Sequence, residues 1–177
     1  MIRCYVTDRR QGDVIRSARR AIDDGVDFIQ VREKELPARD LFNLVCEIRN
    51  RAAGTKTRIL VNDRLDIALA AGTEGVHLPG DGLPADRVRP FVSILSVATH
   101  SIEEALDAER ALADFIIFGP IFETPGKQPI GLSALRSVAL AVHIPVLAIG
   151  GMTPQNQHLA VEAGAAGFAA IRIFQLY

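Results

Sequence analysis

The sequence has little cysteine and no long apolar run, and both absences exclude classes of protein. Its two cysteines, Cys4 and Cys46, belong to no CxxC or Cys/His pattern of a metal site, so we expect both to be buried free thiols. No apolar run approaches the roughly 20 residues that span a membrane. The opening residues, MIRCYVTDRR, turn polar too early for a signal peptide. These features favour a cytoplasmic protein.

The chain also lacks an excess of charge of either sign. Its 20 Lys and Arg residues against 21 Asp and Glu residues give a net charge of -1, so no broad basic field would attract nucleic acid or a membrane surface. No low-complexity segment, linker or internal repeat divides the 177 residues, and 49% of them are hydrophobic. We therefore expect one globular domain spanning residues 1–177.

Short apolar runs alternate with amphipathic stretches along the whole chain. The eight runs are IRCYVT, VDFIQV, RILVN, GVHL, SILSVA, DFIIFG, PVLAIG and GFAAI. They are short and apolar on both faces, as strands of an all-parallel sheet are. Between them, residues 37–53 place Leu41, Leu44, Val45 and Ile48 on one helical stripe. This alternation predicts an α/β protein, a compact (β/α)8 TIM barrel.

Two helices carry start signals. Ser101 with Glu104 forms a capping box. Thr153 is the expected N-cap of the seventh helix, with Pro154 at the first helical position and Gly164 at the end.

The end of the chain is too short for an eighth helix. Only RIFQLY follows the last strand, so we expect the last helix to be missing or truncated, leaving seven full helices. Phe174, Leu176 and Tyr177 are the only apolar residues there that could cover the outer face of strands 8 and 1. Uncovered apolar surface usually marks an interface, so we expect a homodimer that buries this region. The alternative is that the natural protein is longer and a later helix covers it.

Polar residues collect where the predicted strands end, which is where active sites of this fold lie. In chain order they are Gln30, Arg32, Lys34, Asn62, Asp63, His77, Asp81, Thr99, His100, Thr124, Lys127, Gly150, Gly151 and Arg172. Phe28, Gln30 and Arg32 share one face of strand 2, so all three point into the barrel if Phe28 does. A buried arginine needs an anionic partner, which is either Asp63 or a bound phosphate.

The glycine pair after strand 7 indicates an anion site. Gly150 and Gly151 let backbone N–H groups approach an anion closely, and barrels often bind phosphate through the loops after strands 7 and 8. A tight turn into the next helix is the alternative. With Arg172 close by, we expect a phosphorylated ligand.

The motifs together resemble the thiamine phosphate synthase and thiazole tautomerase superfamily. They are YVTD at 5–8, VDFIQVREK at 26–34, VNDRLDIAL at 61–69, GVHLPGDGLP at 75–84, ATHSIEEALDAE at 98–109, FGPIFETPGK at 118–127 and IPVLAIGGMTP at 144–154. The match covers nearly the whole chain. It implies a TIM barrel acting on small phosphorylated heterocycles.

The resemblance also implies roles for single residues if the protein is a synthase. A pyrimidine diphosphate would lose Mg²⁺-bound pyrophosphate, and the thiazole nitrogen would capture the pyrimidine cation. The implied catalytic cations are Arg32, Lys34 and Lys127; the implied substrate contacts are Gln30, Asn62, Thr124, Gly150, Gly151 and Arg172; the implied magnesium ligands are Asp63 and Asp81. Asp81 is implied because it is the carboxylate nearest to Gly82, where the family's second magnesium aspartate is expected.

Other departures from the synthase pattern keep two alternatives open. Ala98 and Arg172 stand where serines are expected, and Gly126 stands where a threonine is expected. The alternatives are a tautomerase-like isomerase, and a binding or regulatory protein without turnover. A tautomerase would need a histidine at Pro120, which can serve as neither acid nor base.

Two histidines have open roles at this stage. His77 is either a general base or a side chain packed in the barrel mouth, and His100 is expected to hydrogen-bond a loop carbonyl or to act in the site.

Overall fold

Eight parallel strands close into a barrel in chain order in the computed structural model, which describes residues 1–175. The strands are β1 (Ile2–Val6), β2 (Phe28–Val31), β3 (Arg58–Asn62), β4 (Gly75–Leu78), β5 (Ile94–Thr99), β6 (Phe115–Phe118), β7 (Val146–Ala148) and β8 (Gly167–Ala170). Parallel pairing of β8 with β1, with Cys4 opposite Ala169, closes the ring. The predicted TIM barrel is confirmed.

The helices form the outer layer. They are α1 (Val14–Asp23), α2 (Ala38–Ala52), α3 (Leu65–Ala71), α4 (Ala85–Val88), α5 (Ile102–Arg110), α6 (Leu132–Ala141) and α7 (Gln157–Glu162). The expectation of seven full helices is wrong, because α4 has only four residues and passes into a 3-10 turn, Arg89–Phe91. Pro90 contributes to this early end because it has no N–H to donate to the carbonyl four residues earlier, although Arg89 before it keeps an α conformation.

The core has two layers, one inside the barrel and one between strands and helices. Inside the barrel pack Cys4, Val6, Leu60, Phe115, Ile117, Leu147 and Ala169. Burial raises the pKa of the Cys4 thiol to about 12, so the thiol stays protonated. Cys46 on α2 is only partly buried, which corrects the expectation that both thiols are buried.

Both predicted helix starts hold. The Ser101 hydroxyl accepts from the Glu104 N–H at 3.2 Å and caps α5. Thr153 caps the turn of residues 154–156 that leads into α7 at Gln157: its Oγ1 accepts from the Asn156 N–H at 3.2 Å, and its carbonyl accepts from the Gln157 N–H at 3.1 Å. Asn156 stabilises that turn, with its side-chain oxygen accepting from the Thr153 N–H at 2.8 Å.

A short turn follows β8. The N–H groups of Phe174 and Gln175 both donate to the carbonyl of Ile171, at 3.1 Å each. The Phe174 ring is buried against the rings of Tyr5 and Phe168, with centroids 5.7 and 6.0 Å away. Phe174 therefore covers the outer face of β1 and β8 as predicted, while Leu176 and Tyr177 lie outside the described residues.

No helix of the described chain is both long enough and apolar enough to cross a membrane.

Candidate active site

Two polar side chains are buried and hydrogen-bonded to each other in the barrel mouth. Gln30 ends the inward face of β2 and Asn62 ends β3, and the Gln30 Nε2 donates to the Asn62 Oδ1 at 2.9 Å. The pair fixes both amides in one orientation, because each side chain loses rotamer freedom to the same bond. The sequence placed both residues at this site but gave no sign of their bond.

Arg32 lies at the end of β2, partly buried rather than buried as expected. Its backbone N–H donates to the Thr7 Oγ1 at 2.9 Å, which ties the end of β2 to the loop after β1. Among the described residues its guanidinium makes no ion pair with Asp63, and the neighbouring Arg64 pairs with Asp66. Asp63, one of the two partners considered for Arg32, therefore does not pair with it here, and a bound phosphate stays a prediction.

His77 is buried at the end of β4, and its Nδ1 lies 2.6 Å from the Ser96 Oγ on β5. Burial, and secondarily the positive charge of Arg32, lower the pKa of His77 to about 3. The imidazole is therefore neutral at physiological pH and is a hydrogen-bonding group of the barrel wall. The sequence gave no signal for Ser96, which lies in the middle of a strand.

Lys34, Asn62 and Asp63 line one small cleft of about 140 Å³ beside the β2 and β3 ends. Asp63 holds a left-handed backbone conformation, φ 63°, and its N–H donates to the His77 carbonyl at 2.9 Å. Aspartate tolerates this conformation better than most residues. It turns the chain directly after β3, and the Asp63 side chain is exposed at the mouth.

The loop after β4 packs against Asp63. A Cβ atom on Gly82 would lie 3.0 Å from the Asp63 Oδ1, so position 82 and Asp63 are direct neighbours. Asp81, the residue before it, is exposed on the same loop. Within residues 1–175 no group of three or more His, Cys, Asp or Glu side chains could hold a metal ion.

A buried carboxylate that the sequence analysis did not single out braces this part of the mouth. Glu33 accepts the backbone N–H of Arg9 at 3.0 Å and holds the β1 loop against β2. Burial raises the pKa of the Glu33 carboxyl, and bonds from Thr7 and Arg9 oppose this only partly. Its only signal in the sequence was its place between Arg32 and Lys34, directly after β2.

Thr124 and Lys127 lie on one tight turn of the β6 loop. The Lys127 N–H donates to the Thr124 carbonyl at 3.0 Å, and the Lys127 side chain is exposed. The Thr124 hydroxyl donates to the Phe122 carbonyl at 3.1 Å. The structure thus brings the two predicted residues together, on a loop that extends over the end of β7.

Gly150 and Gly151 are required where that loop contacts the end of β7. Both have left-handed φ angles, 95° and 63°. A Cβ on Gly150 would lie 2.3 Å from the Pro120 Cβ, and one on Gly151 would lie 2.5 Å from the Glu123 carbonyl oxygen. Neither glycine N–H donates to an acceptor among residues 1–175, which leaves both free for an anion.

Arg172 follows β8 on the turn Ile171–Gln175 and is exposed. Because β8 pairs with β7, this turn lies beside the glycine pair at the same end of the barrel. Its own N–H, and that of Ile173, also have no acceptor among the described residues.

His100 hydrogen-bonds a loop carbonyl, which is one of the two roles predicted for it. Its Nδ1 lies 2.5 Å from the Gly119 carbonyl oxygen, so this nitrogen carries the proton and donates. Thr99 is fully buried and belongs to the barrel wall.

Comparison with known proteins agrees with the motifs. The family model described as thiamine monophosphate synthase matches residues 4–174. The chain is 41% identical to a putative thiamine-phosphate synthase of Geobacter sulfurreducens, with 94% of this chain and 83% of that protein aligned. It is 40% identical to putative thiamine-phosphate synthase 2 of Aquifex aeolicus, with 96% of this chain and 95% of that protein aligned.

The solved structures give the same result. A thiamine phosphate pyrophosphorylase from Pyrococcus furiosus superposes with a TM-score of 0.90 at 34% identity, covering 96% of this chain and 85% of that one. With a family model spanning most of the chain and relatives near 40% identity, the chain belongs to the thiamine monophosphate synthase family.

Proposed function

We propose that this protein is a thiamine-phosphate synthase, a transferase that joins hydroxymethylpyrimidine diphosphate to thiazole phosphate and releases pyrophosphate. One observation supports the proposal: two separate sets of groups that are able to bind an anion lie at the barrel mouth. Arg32 and Lys34, after the carboxyl end of β2, form one set. Unpaired backbone N–H groups after the carboxyl ends of β7 and β8 form the other set. Two phosphorylated substrates need two such sets.

The β2 side is suited to the diphosphate. In the reaction the C–O bond between the pyrimidine methylene and the diphosphate breaks, and its electron pair leaves with the pyrophosphate. Arg32 and Lys34 stabilise the charge that develops on those oxygens, with Lys127 reaching in from the β6 loop. Gln30 and Asn62 orient the pyrimidine diphosphate through the Gln30 Oε1 and the Asn62 Nδ2, the amide atoms that their mutual bond does not use.

The β7 and β8 side is suited to the thiazole phosphate. The N–H groups of Gly150 and Gly151 and the Arg172 guanidinium bind its phosphate, and the Thr124 hydroxyl joins them by turning its proton away from the Phe122 carbonyl. The thiazole ring then faces the pyrimidine. The lone pair of the thiazole nitrogen forms the new C–N bond with the pyrimidine methylene cation. Holding both substrates at one mouth makes this capture effectively intramolecular.

A magnesium ion fits the diphosphate side. Mg²⁺ is usually bound by one or two carboxylates together with substrate phosphates, so the lack of a three-ligand protein cluster does not count against it. Asp63 would hold the ion, with Asp81 as the nearest second carboxylate on the loop that touches Asp63. When bound, the ion neutralises charge on the departing pyrophosphate.

The tautomerase alternative gains no support from the site. Pro120, where that activity needs a histidine, packs its ring against Gly150. His77 is neutral and bonded to Ser96. A binding protein without turnover is the remaining alternative, and the experiment below separates it from the enzyme.

The homodimer and the cytoplasmic location are part of the proposal. Phe174 already buries part of the face that the dimer was expected to cover, so the interface would be smaller than the sequence indicated. Light scattering over a concentration series tests the homodimer, and a clean monomer at tens of micromolar would rule the homodimer out.

The proposed cytoplasmic location fits the two cysteines, which form no disulfide, as expected in a reducing compartment.

Binding titrations test the proposal. Hydroxymethylpyrimidine diphosphate and thiazole phosphate are each titrated with and without Mg²⁺, and the mixture is then assayed for thiamine phosphate. A synthase binds the diphosphate in a magnesium-dependent way and forms product. Metal-independent binding of the thiazole alone, without product, would instead support a tautomerase or a binding protein.

A further inference from the structure

We infer that Tyr5 and Gln175 are positioning residues that hold the β8 half of the phosphate site in place, although both side chains are buried. The inference rests on the proposed phosphate site at Gly150, Gly151 and Arg172. It concerns the turn Ile171–Gln175, which carries Arg172 and follows β8.

A buried hydrogen bond anchors that turn to the first strand. The Tyr5 hydroxyl donates to the Gln175 Oε1 at 2.8 Å, and both side chains are buried. The same hydroxyl interacts with Ser17 on α1, so the turn is connected through Tyr5 to a helix as well as to a strand. Burial raises the pKa of the Tyr5 hydroxyl, so the proton that it donates stays on it throughout the usual pH range.

The anchor has no substitute among the described residues. The Gln175 Nε2 is buried and has no hydrogen-bond partner there, so the side chain is held by the Tyr5 bond alone. A buried amide with neither atom satisfied is costly and moves toward water. Loss of the Tyr5 hydroxyl would therefore release Gln175, and the backbone of the turn would move with it.

The turn is also the less supported half of the phosphate site. The β7 half is held by the β6 loop, where the Ile121 N–H donates to the Ile149 carbonyl at 2.8 Å and the Phe122 N–H donates to the Gly150 carbonyl at 3.1 Å. The β8 half has its two bonds to the Ile171 carbonyl, the stacking of Phe174 and the Tyr5–Gln175 bond. The position of Arg172 therefore depends on Tyr5.

The experiment measures thiazole phosphate and pyrophosphate binding to the Tyr5→Phe variant, which keeps the ring against Phe174 and loses only the hydroxyl. We expect thiazole phosphate to bind about fivefold to tenfold more weakly, the effect of one lost buried hydrogen bond. Pyrophosphate binding at the β2 side should not change. In turnover, KM for thiazole phosphate should rise while kcat and KM for the diphosphate stay as in the wild type.

Thr57→Val is the matched control, because it also removes one buried hydroxyl bond, from the Thr57 Oγ1 to the Val26 carbonyl at 2.7 Å, but at the opposite end of the barrel. If Tyr5→Phe does not fold, Gln175→Met removes the acceptor instead. Equal losses in Thr57→Val and Tyr5→Phe, or unchanged binding in Tyr5→Phe, would overturn the inference alone. A wild type that binds no thiazole phosphate would overturn the proposed phosphate site and the inference with it.

Discussion

One side of the barrel mouth is built mainly from side chains, and the other mainly from backbone groups. The β2–β4 side consists of side chains: Arg32, Lys34 and Asp63 provide charge around the buried pair of Gln30 and Asn62. The β7–β8 side consists mainly of backbone, with unpaired N–H groups held in position by loop contacts.

The difference determines how each side fails. A side-chain site loses affinity when a charge is removed, while the fold around it persists. A backbone site loses affinity when the chain is displaced, so fold and binding fail together. The predictions below test this contrast, from the largest expected effect to the smallest.

Gly150→Ala should have the largest effect. The added Cβ would lie 2.3 Å from the Pro120 Cβ, and alanine would have to adopt the left-handed φ of 95° that Gly150 has. We therefore expect the free energy of unfolding to fall by about 3–5 kcal/mol. Thiazole phosphate binding should be lost as well. Gly54→Ala is the control, with φ 79° and nothing within 4 Å of the added atom. If Gly150→Ala matches Gly54→Ala in stability and keeps its ligand, the loop contact is not needed.

Arg32→Ala should weaken diphosphate binding by about 1.5–3 kcal/mol without loss of fold, the range for a charge-assisted hydrogen bond. Arg32→Lys should recover only part of this, because an ammonium group lacks the two-pronged geometry of a guanidinium. Arg58→Ala, at the other end of the barrel on β3, controls for loss of charge. Normal diphosphate binding by Arg32→Ala would remove Arg32 from the site.

His77 should make stability depend on pH. Its folded pKa of about 3 lies below the usual value of 6.5, so the unfolded chain takes up a proton in this range and the folded chain does not. The stabilisation is complete above pH 6.5 and decreases as the pH falls from 6.5 toward 3. Between pH 7.5 and 5.5 the loss should be on the order of 1 kcal/mol.

This loss of unfolding free energy is measured by denaturant titrations at pH 7.5 and 5.5. The proteins compared are the wild type, His77→Gln and His143→Gln. The slope should disappear in His77→Gln and persist in His143→Gln, since the His143 side chain is 96% exposed. A wild-type slope that His77→Gln leaves unchanged would show that His77 titrates normally.

Gly82→Asp should give the smallest effect, roughly a threefold to tenfold gain in Mg²⁺ affinity in the presence of diphosphate, because affinity follows the number of charged ligands. The new Cβ would lie 3.0 Å from the Asp63 Oδ1. Gly80→Asp adds the same charge on the same loop but into open space, and should give no gain. Equal gains in both variants would mean a general charge effect.

The barrel and the strand-end residues could be predicted because they depend on local pattern. Eight apolar runs of similar length allow few other topologies, and the polar ends of parallel strands must meet. The Gln30–Asn62 bond, the Ser96 partner of His77 and the Tyr5–Gln175 anchor could not be predicted. Each joins residues at least 19 positions apart, and no local pattern encodes such a pairing.

The errors also have physical causes. Asp63 is one of the two predicted partners of Arg32 because β2 and β3 are adjacent, but the left-handed turn at Asp63 leaves its side chain exposed beside Gly82. The alternation of apolar runs predicts a full fourth helix, but Pro90 has no N–H to extend it and α4 is one turn long.

The central claim is that both sides of the mouth act in one reaction. The most direct test is a turnover assay with hydroxymethylpyrimidine diphosphate, thiazole phosphate and Mg²⁺, following thiamine phosphate and pyrophosphate together. The account predicts equal amounts of both products, dependent on Mg²⁺ and greatly reduced in both Arg32→Ala and Gly150→Ala. Absence of thiamine phosphate, from wild-type protein that binds both substrates, would contradict it.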